Sequence, residues 1–529
     1  MQIVIPLSGI GKRFIDRGYI VPKPLIPIDE KPMIQHVVDL FPGETNIIFI
    51  CNDLHLRETN MRAILMEICP TCKIVEVSVE NRKGPVDAVL QASEIINDND
   101  EIIVSYCDYG TYWNYSNFLK DVRETQADGA IPAYIGFHPH MLGTDHYAYM
   151  THQDMWMTAI QEKCPFTDNK MSEYASNGAY YFKNGGLMKK YFNQLVTEDI
   201  QINGEYYVSM VYNLLIRDQL KVRIFEIEHM LQWGTPYDYE TFSLWSYYFK
   251  DKIYPTEPIA DSKNTLTILP MAGRGSRFTM EGFTIAKPFL EVEGLPMVVQ
   301  AIRDLPPTQD LTIITLKEHL DSYPNEFEII KNHFPHLNIT TIDDVTDGEA
   351  TTCSLVINTV EDDRPILISA CDNGAFYSHD SYHNLVNDDN IDVIVWSFYN
   401  NPTSKLYPEM YAWLDIDENN WIKYVSVKKP LVGKENIHAI IGTMFFKRAD
   451  IFKKGYEYIC QNNIQTNGEY YVDDMLNPLI EMGYKIKIFP VDYYLCWGTP
   501  NDYKTYNYWE SFFNKCEWHP YHRKNNLTL

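Results

Sequence analysis

The sequence predicts two α/β domains in tandem, each with a mostly parallel central sheet covered by helices on both faces. Three observations carry that prediction. The chain of 529 residues repeats itself once along nearly its whole length, apolar runs of strand length alternate with segments of helical period, and the first run of each copy ends in two closely spaced glycines.

The repeat sets the domain count. Gly9-Ile10-Gly11-Lys12-Arg13-Phe14 recurs 264 residues on as Gly273-Arg274-Gly275-Ser276-Arg277-Phe278. Lys23-Pro24 returns as Lys287-Pro288, Gly84 as Gly348, Cys107-Asp108 as Cys371-Asp372, Gly178 as Gly442, Asn203-Gly204-Glu205-Tyr206-Tyr207-Val208 as Asn467-Gly468-Glu469-Tyr470-Tyr471-Val472, and Trp233-Gly234-Thr235-Pro236 as Trp497-Gly498-Thr499-Pro500, all at the same offset. A period this long is a whole domain with its own core, not a solenoid unit. The expected boundaries are a first domain at 1–252, a linker at 253–264 and a second domain at 265–529.

The elements follow in order. Ile3-Val4-Ile5-Pro6-Leu7 and Leu266-Thr267-Ile268-Leu269-Pro270 read as buried strands running into the glycine loops. Asn46–Ile50 and Glu101–Ser105 continue the sheet in copy one, Leu311–Ile314 and Pro365–Ser369 in copy two. Between them, Val86 to Ile96 has a helical period with one apolar face. Tyr254 to Asn264 holds two prolines and no periodicity, as a linker would. The aromatic stretches Phe242–Phe249 and Tyr506–Phe513 read as amphipathic helices, each packing on its own domain.

Composition excludes several classes. A formal net charge of −26 repels nucleic acid and anionic membrane over most of the surface, so any phosphate bound here is small and held locally. Ten cysteines without a framework, and an opening strand in place of a secretory signal, lead us to expect a cytoplasmic protein. Cys69-Pro70-Thr71-Cys72 lacks the second ligand pair of a zinc site, and no apolar run reaches the ~20 residues of a membrane span.

The candidate chemistry sits just after the first strand of each copy. Gly9 and Gly11, like Gly273 and Gly275, let main-chain N–H groups approach an anion closely. Neither loop completes G-x-G-x-x-G or ends in G-K-[ST], which disfavours the dinucleotide fingerprint and the P-loop. Arg13 with Lys23, and Arg277 with Lys287, add a guanidinium and an ammonium suited to a triphosphate. Asp108 and Asp372 each follow an apolar strand, where a carboxylate could hold a magnesium ion or cap the next helix.

These residues resemble the signature of the sugar-phosphate nucleotidyltransferases, or nucleotide-sugar pyrophosphorylases. The resemblance rests on Leu7-Ser8-Gly9-Ile10-Gly11-Lys12-Arg13-Phe14 with Pro22-Lys23-Pro24-Leu25, and on Pro270-Met271-Ala272-Gly273-Arg274-Gly275-Ser276-Arg277-Phe278 with Ala286-Lys287-Pro288-Phe289. It implies two tandem Rossmann-like α/β/α domains. It further implies that the loops wrap a nucleotide, that Gly84-Pro85 and Gly348-Glu349 face its base, and that Asp108 and Asp372 bind Mg²⁺. Glu162-Lys163 resembles the pair that contacts the sugar phosphate, Asn177-Gly178 resembles the sugar-facing strand, and Gly442 matches Gly178.

Copy two departs from this pattern, with Val427-Lys428 for Glu162-Lys163 and Ile441 for Asn177. Gln232 and Cys496 stand where the family commonly has a second metal-binding Asp. Glu80 and Asp343-Asp344 occupy the region of a base-reading glutamine and lean toward CTP or GTP. The expected reaction is attack by a sugar 1-phosphate, or a similar phospho-acceptor, on an NTP with loss of pyrophosphate, serving surface polysaccharide precursors. Arg13, Lys23 and Lys163, repeated as Arg277, Lys287 and Lys428, would neutralise and orient the phosphates. The alternative makes copy two a non-catalytic, nucleotide-sugar-binding regulatory module. A glycosyltransferase is disfavoured because neither strand end carries Asp-x-Asp. Two like domains in one chain could also pack as a pseudo-dimer.

Overall fold

A computed structural model of the protein describes residues 1–78, 80, 83–254, 258, 264–399, 401, 404, 407–431, 433 and 437–522. The chain divides into two compact units, Met1–Ile253 with Ser511–Leu529, and Tyr254–Glu510. The expected second domain ran to 529, whereas Ser511–Leu529 groups with the first unit. There the rings of Phe512 and Phe513 meet Phe242, and Phe513 also meets Phe249, so the end of the second aromatic stretch does not pack solely on its own repeat. Most of the expected linker, 255–257 and 259–263, lies outside the described residues.

In the first unit the expected strands form as Gln2–Leu7, Asn46–Asn52 and Ile102–Ser105, joined by Lys73–Val77. Gln2–Leu7 pairs in parallel with Asn46–Asn52 on one side and Ile102–Ser105 on the other. Alternate residues go to opposite faces: Val4, Ile48, Ile50, Ile102 and Val104 enter one core, and Ile3, Ile5, Ile47, Phe49 and Ile103 the other. Both faces of these strands are therefore covered, which is why they read as unbroken apolar runs. The second unit repeats this with Leu266–Met271 between Asp310–Leu316 and Ile366–Ile368.

The rest of each sheet is antiparallel or mixed, which corrects the expectation of a mostly parallel one. In the first unit Ala179–Phe182 runs antiparallel to Ile102–Ser105, and Ala148–Gln153 pairs antiparallel with Trp156–Glu162. The turn between the last two is only Asp154-Met155, both at positive φ (51° and 65°), and a connection this short can join only antiparallel strands. The second unit has the same mixture, with His438–Phe446 antiparallel to Ile366–Ile368 and Ala412–Ile416 antiparallel to Ile422–Val427. The Val86–Ile96 segment forms a helix over Pro85–Gln91 and a 3₁₀ turn over Ser93–Ile95.

The layout positions the site. Successive strands depart to opposite sides of Gln2–Leu7 and of Leu266–Met271, and a crevice opens beyond the carboxyl ends at such a switch in strand order.

Candidate active site

In the first unit the crevice is a cleft of about 850 Å³. It brings together Leu7, Ser8, Gly9, Gly11 and Arg13 of the first loop, Lys23, Gly84, Pro85 and Asp108, and on the far side Glu162, Lys163, Asn177 and Gly178. Gly11 takes φ 72° and ψ 37° to turn the chain from the strand into the short helix Lys12–Asp16. A Cβ built on Gly9 would meet nothing within 4 Å, so the main chain there is open to a ligand. Leu7 and Ser8 are buried and contribute through their backbone, while Arg13 is exposed at the mouth.

Lys23 reaches across the strand ends to Asp108, with Nζ 2.5 Å from Oδ2. The second unit repeats the pair, Lys287 Nζ lying 2.6 Å from Asp372 Oδ2. Burial alone would raise the Asp372 pKa, but the adjacent Lys287 ammonium, its hydrogen bond and then Arg277 outweigh it and hold the carboxyl below its usual range. Met271 and Ala272 are buried like Leu7 and Ser8, and Gly273 is open like Gly9.

The glycines on the expected base side are fixed by a motif far along the chain. Gly84 has φ 95°, and a Cβ on it would lie 2.8 Å from the Tyr206 nitrogen. Tyr206 N–H donates to Lys83 O at 2.7 Å, and Val86 N–H donates to Tyr206 O at 3.2 Å. In the second unit Tyr470 N–H donates to Asp347 O at 2.8 Å and Ala350 N–H to Tyr470 O at 3.0 Å, with Gly348 at φ 141°. The repeated Asn-Gly-Glu-Tyr-Tyr-Val is thus the clamp on the glycine segment, a role its recurrence marked but its composition did not reveal. Glu80 is exposed, and Asp344 is bound to Arg274 at 3.0 Å.

On the expected acceptor side Lys163 Nζ donates to Tyr207 Oη at 2.6 Å and stands 4.4 Å from that ring's centroid. Tyr207 in turn bonds Glu205. Glu162 is buried and accepts from Ser209 Oγ at 2.6 Å; burial raises its pKa, with Ser209 and Lys163 opposing. Asn177 is 1% exposed, its Oδ1 accepts from Ala179 N–H at 3.0 Å, and its Nδ2 has no partner among the described residues. Asn177 lines the cleft, although this nitrogen is itself buried. Gly178 and Gly442 both take positive φ (103° and 86°) beside the strand end that carries the aspartate.

No group of three or more His, Cys, Asp or Glu side chains that could hold a metal is found among the described residues, but Asp108 has Gln232 close by. A Cβ on Gly234 would lie 3.0 Å from Asp108 Oδ2 and 2.9 Å from Gln232 Nε2, so glycine leaves the room in which the two side chains meet. Asp238 is a further carboxylate there that sequence reasoning missed; it accepts from Thr235 Oγ1 at 2.5 Å, and burial pushes its pKa up to about 6. Its signal was the Thr-Pro-x-Asp helix start, repeated at Thr499-Pro500-Asn501-Asp502. A carboxylate and an amide oxygen, as in Asp108 and Gln232, are donor types that Mg²⁺ accepts. The second unit offers Asp372, but Cys496 replaces the amide and donates its thiol to Asp502 at 3.4 Å, a poorer fit. The Cys69 and Cys72 thiols donate to Thr45 O at 3.8 Å and Leu65 O at 3.7 Å. No helix among the described residues is long and apolar enough to cross a membrane.

Residues 3–204 match the family model described as nucleotidyl transferase. Solved structures similar to this chain include a nucleoside-diphosphate-sugar pyrophosphorylase from Vibrio cholerae RC9, at 20% identity over 46% of this chain and 99% of that one, with a TM-score of 0.37. An inositol-1-phosphate CTP transferase from T. maritima matches at 15% identity over 47% and 96%, with a TM-score of 0.37. A UDP-glucose pyrophosphorylase from Acinetobacter baumannii matches at 18% identity over 46% and 92%, with a TM-score of 0.36.

Proposed function

We propose that the protein is a tandem nucleotidyltransferase in which a phosphomonoester, of the sugar 1-phosphate type, displaces pyrophosphate from a nucleoside triphosphate. The observation that carries this reading is the lysine–aspartate pair beneath an open glycine loop at the switch in strand order, present in both units. The family match over residues 3–204 supports it for the first unit.

An oxygen of the acceptor phosphate attacks the α-phosphorus; the new P–O bond forms as the bond from the α-phosphorus to the bridging oxygen breaks, and pyrophosphate leaves with that electron pair. No covalent enzyme intermediate is required, so the chain contributes position and charge. Main-chain N–H groups of the loop at Gly9 and Gly11 hold the triphosphate, and Gly84 and Pro85 face its base. Arg13 and Lys23 offset charge developing on the departing pyrophosphate. Lys163 orients the acceptor phosphate, and Glu162 and Asn177 bind the acceptor's hydroxyls. Asp108 and Gln232 would hold Mg²⁺, which supplies charge neutralisation at the phosphates. Arg277, Lys287, Asp372 and Lys428 repeat these parts in the second unit. A cytoplasmic supply of activated precursors for surface polysaccharide is the setting this chemistry suits.

The test uses the full chain with Asp108→Ala, Asp372→Ala and both, assayed for pyrophosphate release across the nucleoside triphosphates with a panel of sugar 1-phosphates. Each single variant should remove one component of the activity and the double variant all of it. Undiminished release by the double variant would take both aspartates out of the mechanism.

A further inference from the structure

The second unit lacks a counterpart to Glu162 at the matching strand position, where Val427 stands. We infer that Asp473, at the position equivalent to Ser209, the residue that contacts Glu162, supplies the missing carboxylate, making the second unit a working acceptor site with its own specificity.

The register of the two units establishes the equivalence. In the first unit Asn213 brackets the strand Trp156–Glu162, its Oδ1 accepting from Ile160 N–H at 3.1 Å and its Nδ2 donating to Ile160 O at 2.8 Å. Asn477 brackets Ile422–Val427 identically, through Val425 N–H and Val425 O, both at 2.8 Å. Ile160 therefore corresponds to Val425, Glu162 to Val427 and Lys163 to Lys428. The lysine backbones agree: φ is 58° and 56°, and their N–H groups donate to the carbonyls of Tyr147 at 2.7 Å and Tyr411 at 3.1 Å, whereas the ammonium of Lys163 donates to Tyr207 Oη and that of Lys428 to Met410 O at 2.5 Å. Each ammonium also stands over the ring of the repeated tyrosine, Tyr207 at 4.4 Å and Tyr471 at 5.5 Å.

The partner of Glu162 is Ser209, and Asp473 occupies the position equivalent to Ser209, one residue after Val472, the counterpart of Val208. The contacting pair Glu162 and Ser209 has become Val427 and Asp473, with the acid transposed from strand to helix start. Lys428, the counterpart of Lys163, lies within electrostatic reach of Asp473: burial raises the Asp473 pKa to about 6, and Lys428 is the charge that opposes this. Among the described residues its carboxylate accepts no hydrogen bond, whereas that of Glu162 is held by Ser209. Glu349, where the first unit has Pro85, adds a second acid on this side; burial and then Asp473 and Asp372 push it up to about 8, against Lys428. The ligand this arrangement fits is a phosphomonoester with its phosphate at Lys428 and a donor-bearing end, hydroxyl or ammonium, at Asp473.

This inference rests on the nucleotidyl-transfer reading, and the experiment separates the two. The Asp108→Ala chain isolates the second unit. Its binding of Mg–NTP is followed by calorimetry, and its pyrophosphate release with glucose 1-phosphate, glucosamine 1-phosphate, glycerol phosphate and phosphoethanolamine, which distinguish hydroxyl from ammonium donors. Adding Asp473→Asn should raise the acceptor KM by about tenfold or more while kcat and the NTP Kd stay within about threefold, because a hydrogen-bonding site loses its charged acceptor. The exchange Val427→Glu with Asp473→Ser, which restores the first unit's arrangement, should recover turnover and move acceptor preference toward that of the first unit. An Asp473→Asn chain with an unchanged acceptor KM would overturn the inference. So would an Asp108→Ala chain that binds Mg–NTP yet turns over no acceptor of the panel. Absence of NTP binding to the unsubstituted chain would instead overturn the nucleotidyl-transfer reading itself.

Discussion

At the scale of single residues, the cations and glycines of the site were legible because they recur, but the contacts that give them meaning were not. Lys23 and Asp108 are 85 residues apart and meet only once the sheet is formed. Gly348 shows why a recurring glycine is required. Its ideal Cβ would lie 2.5 Å from both the nitrogen and the oxygen of Tyr470, its φ is 141°, and Tyr470 cannot retreat because its N–H and C=O are both bonded to the glycine segment. Gly348→Ala should therefore destabilise the second unit by about 2–4 kcal/mol, from backbone strain plus overpacking, and weaken NTP binding there. Urea unfolding and calorimetry measure both effects. An alanine variant as stable as the parent would show that the segment can part from Tyr470. Lys23→Met addresses charge instead of space. It removes the ammonium from Asp108 and from the proposed leaving group, and should cut first-unit pyrophosphate release by about 10²-fold or more with the fold retained.

At the scale of elements, apolar runs identified the strands that carry the glycine loops, because strands buried on both faces leave no polar residue to interrupt the run. Direction was not legible in the same way: a run such as Ala179–Phe182 reads alike whether it lies parallel or antiparallel to Ile102–Ser105. The transposed acid was hidden for a related reason. The hairpin before Lys428 is one residue longer than the one before Lys163, so Val427-Lys428 aligns with Glu162-Lys163 but nothing in the sequence shows that position 209 or 473 touches that strand. The asparagine brackets fix the register of that strand, and they are testable. Asn213→Leu removes two hydrogen bonds to Ile160 and leaves its N–H and C=O to find other partners, at a cost of about 1–3 kcal/mol. Because the bracket sets where Glu162 and Lys163 stand, the variant should raise the first unit's acceptor KM while its NTP affinity, which the proposed function assigns to the opposite side of the cleft, stays unchanged. A loss confined to NTP binding would contradict that division of labour.

At the scale of the molecule, the repeat made two domains legible, yet the units differ in how their buried groups titrate. The first unit buries His138, His229 and His519, each no more than 4% exposed, and burial lowers their pKa values to about 3, 4 and 4. Histidines held neutral in the fold but basic when unfolded give stability that is complete above pH ~6.5 and drains away as pH falls toward 4, each at about 1.4 kcal/mol per pH unit. Asp238 works in the opposite sense: its raised folded pKa means that protonation near pH 6 relieves a burial penalty, cancelling about one histidine. In the second unit the acids with strongly raised values, Glu349 at about 8 and Asp473 at about 6, are likewise relieved as pH falls. The second unit also holds His319, His379 and His438, whose pKa values burial lowers, so acidification from pH 7 to 5 should loosen the first unit more than the second. Hydrogen exchange, corrected for intrinsic rates, would report this as faster exchange in Gln2–Leu7 than in Leu266–Met271 at pH 5, relative to pH 7. His138→Phe, which deletes one titrating group, should flatten the first unit's dependence by about one proton. Equal loss of protection in both strands would show that these buried histidines do not govern the acid response.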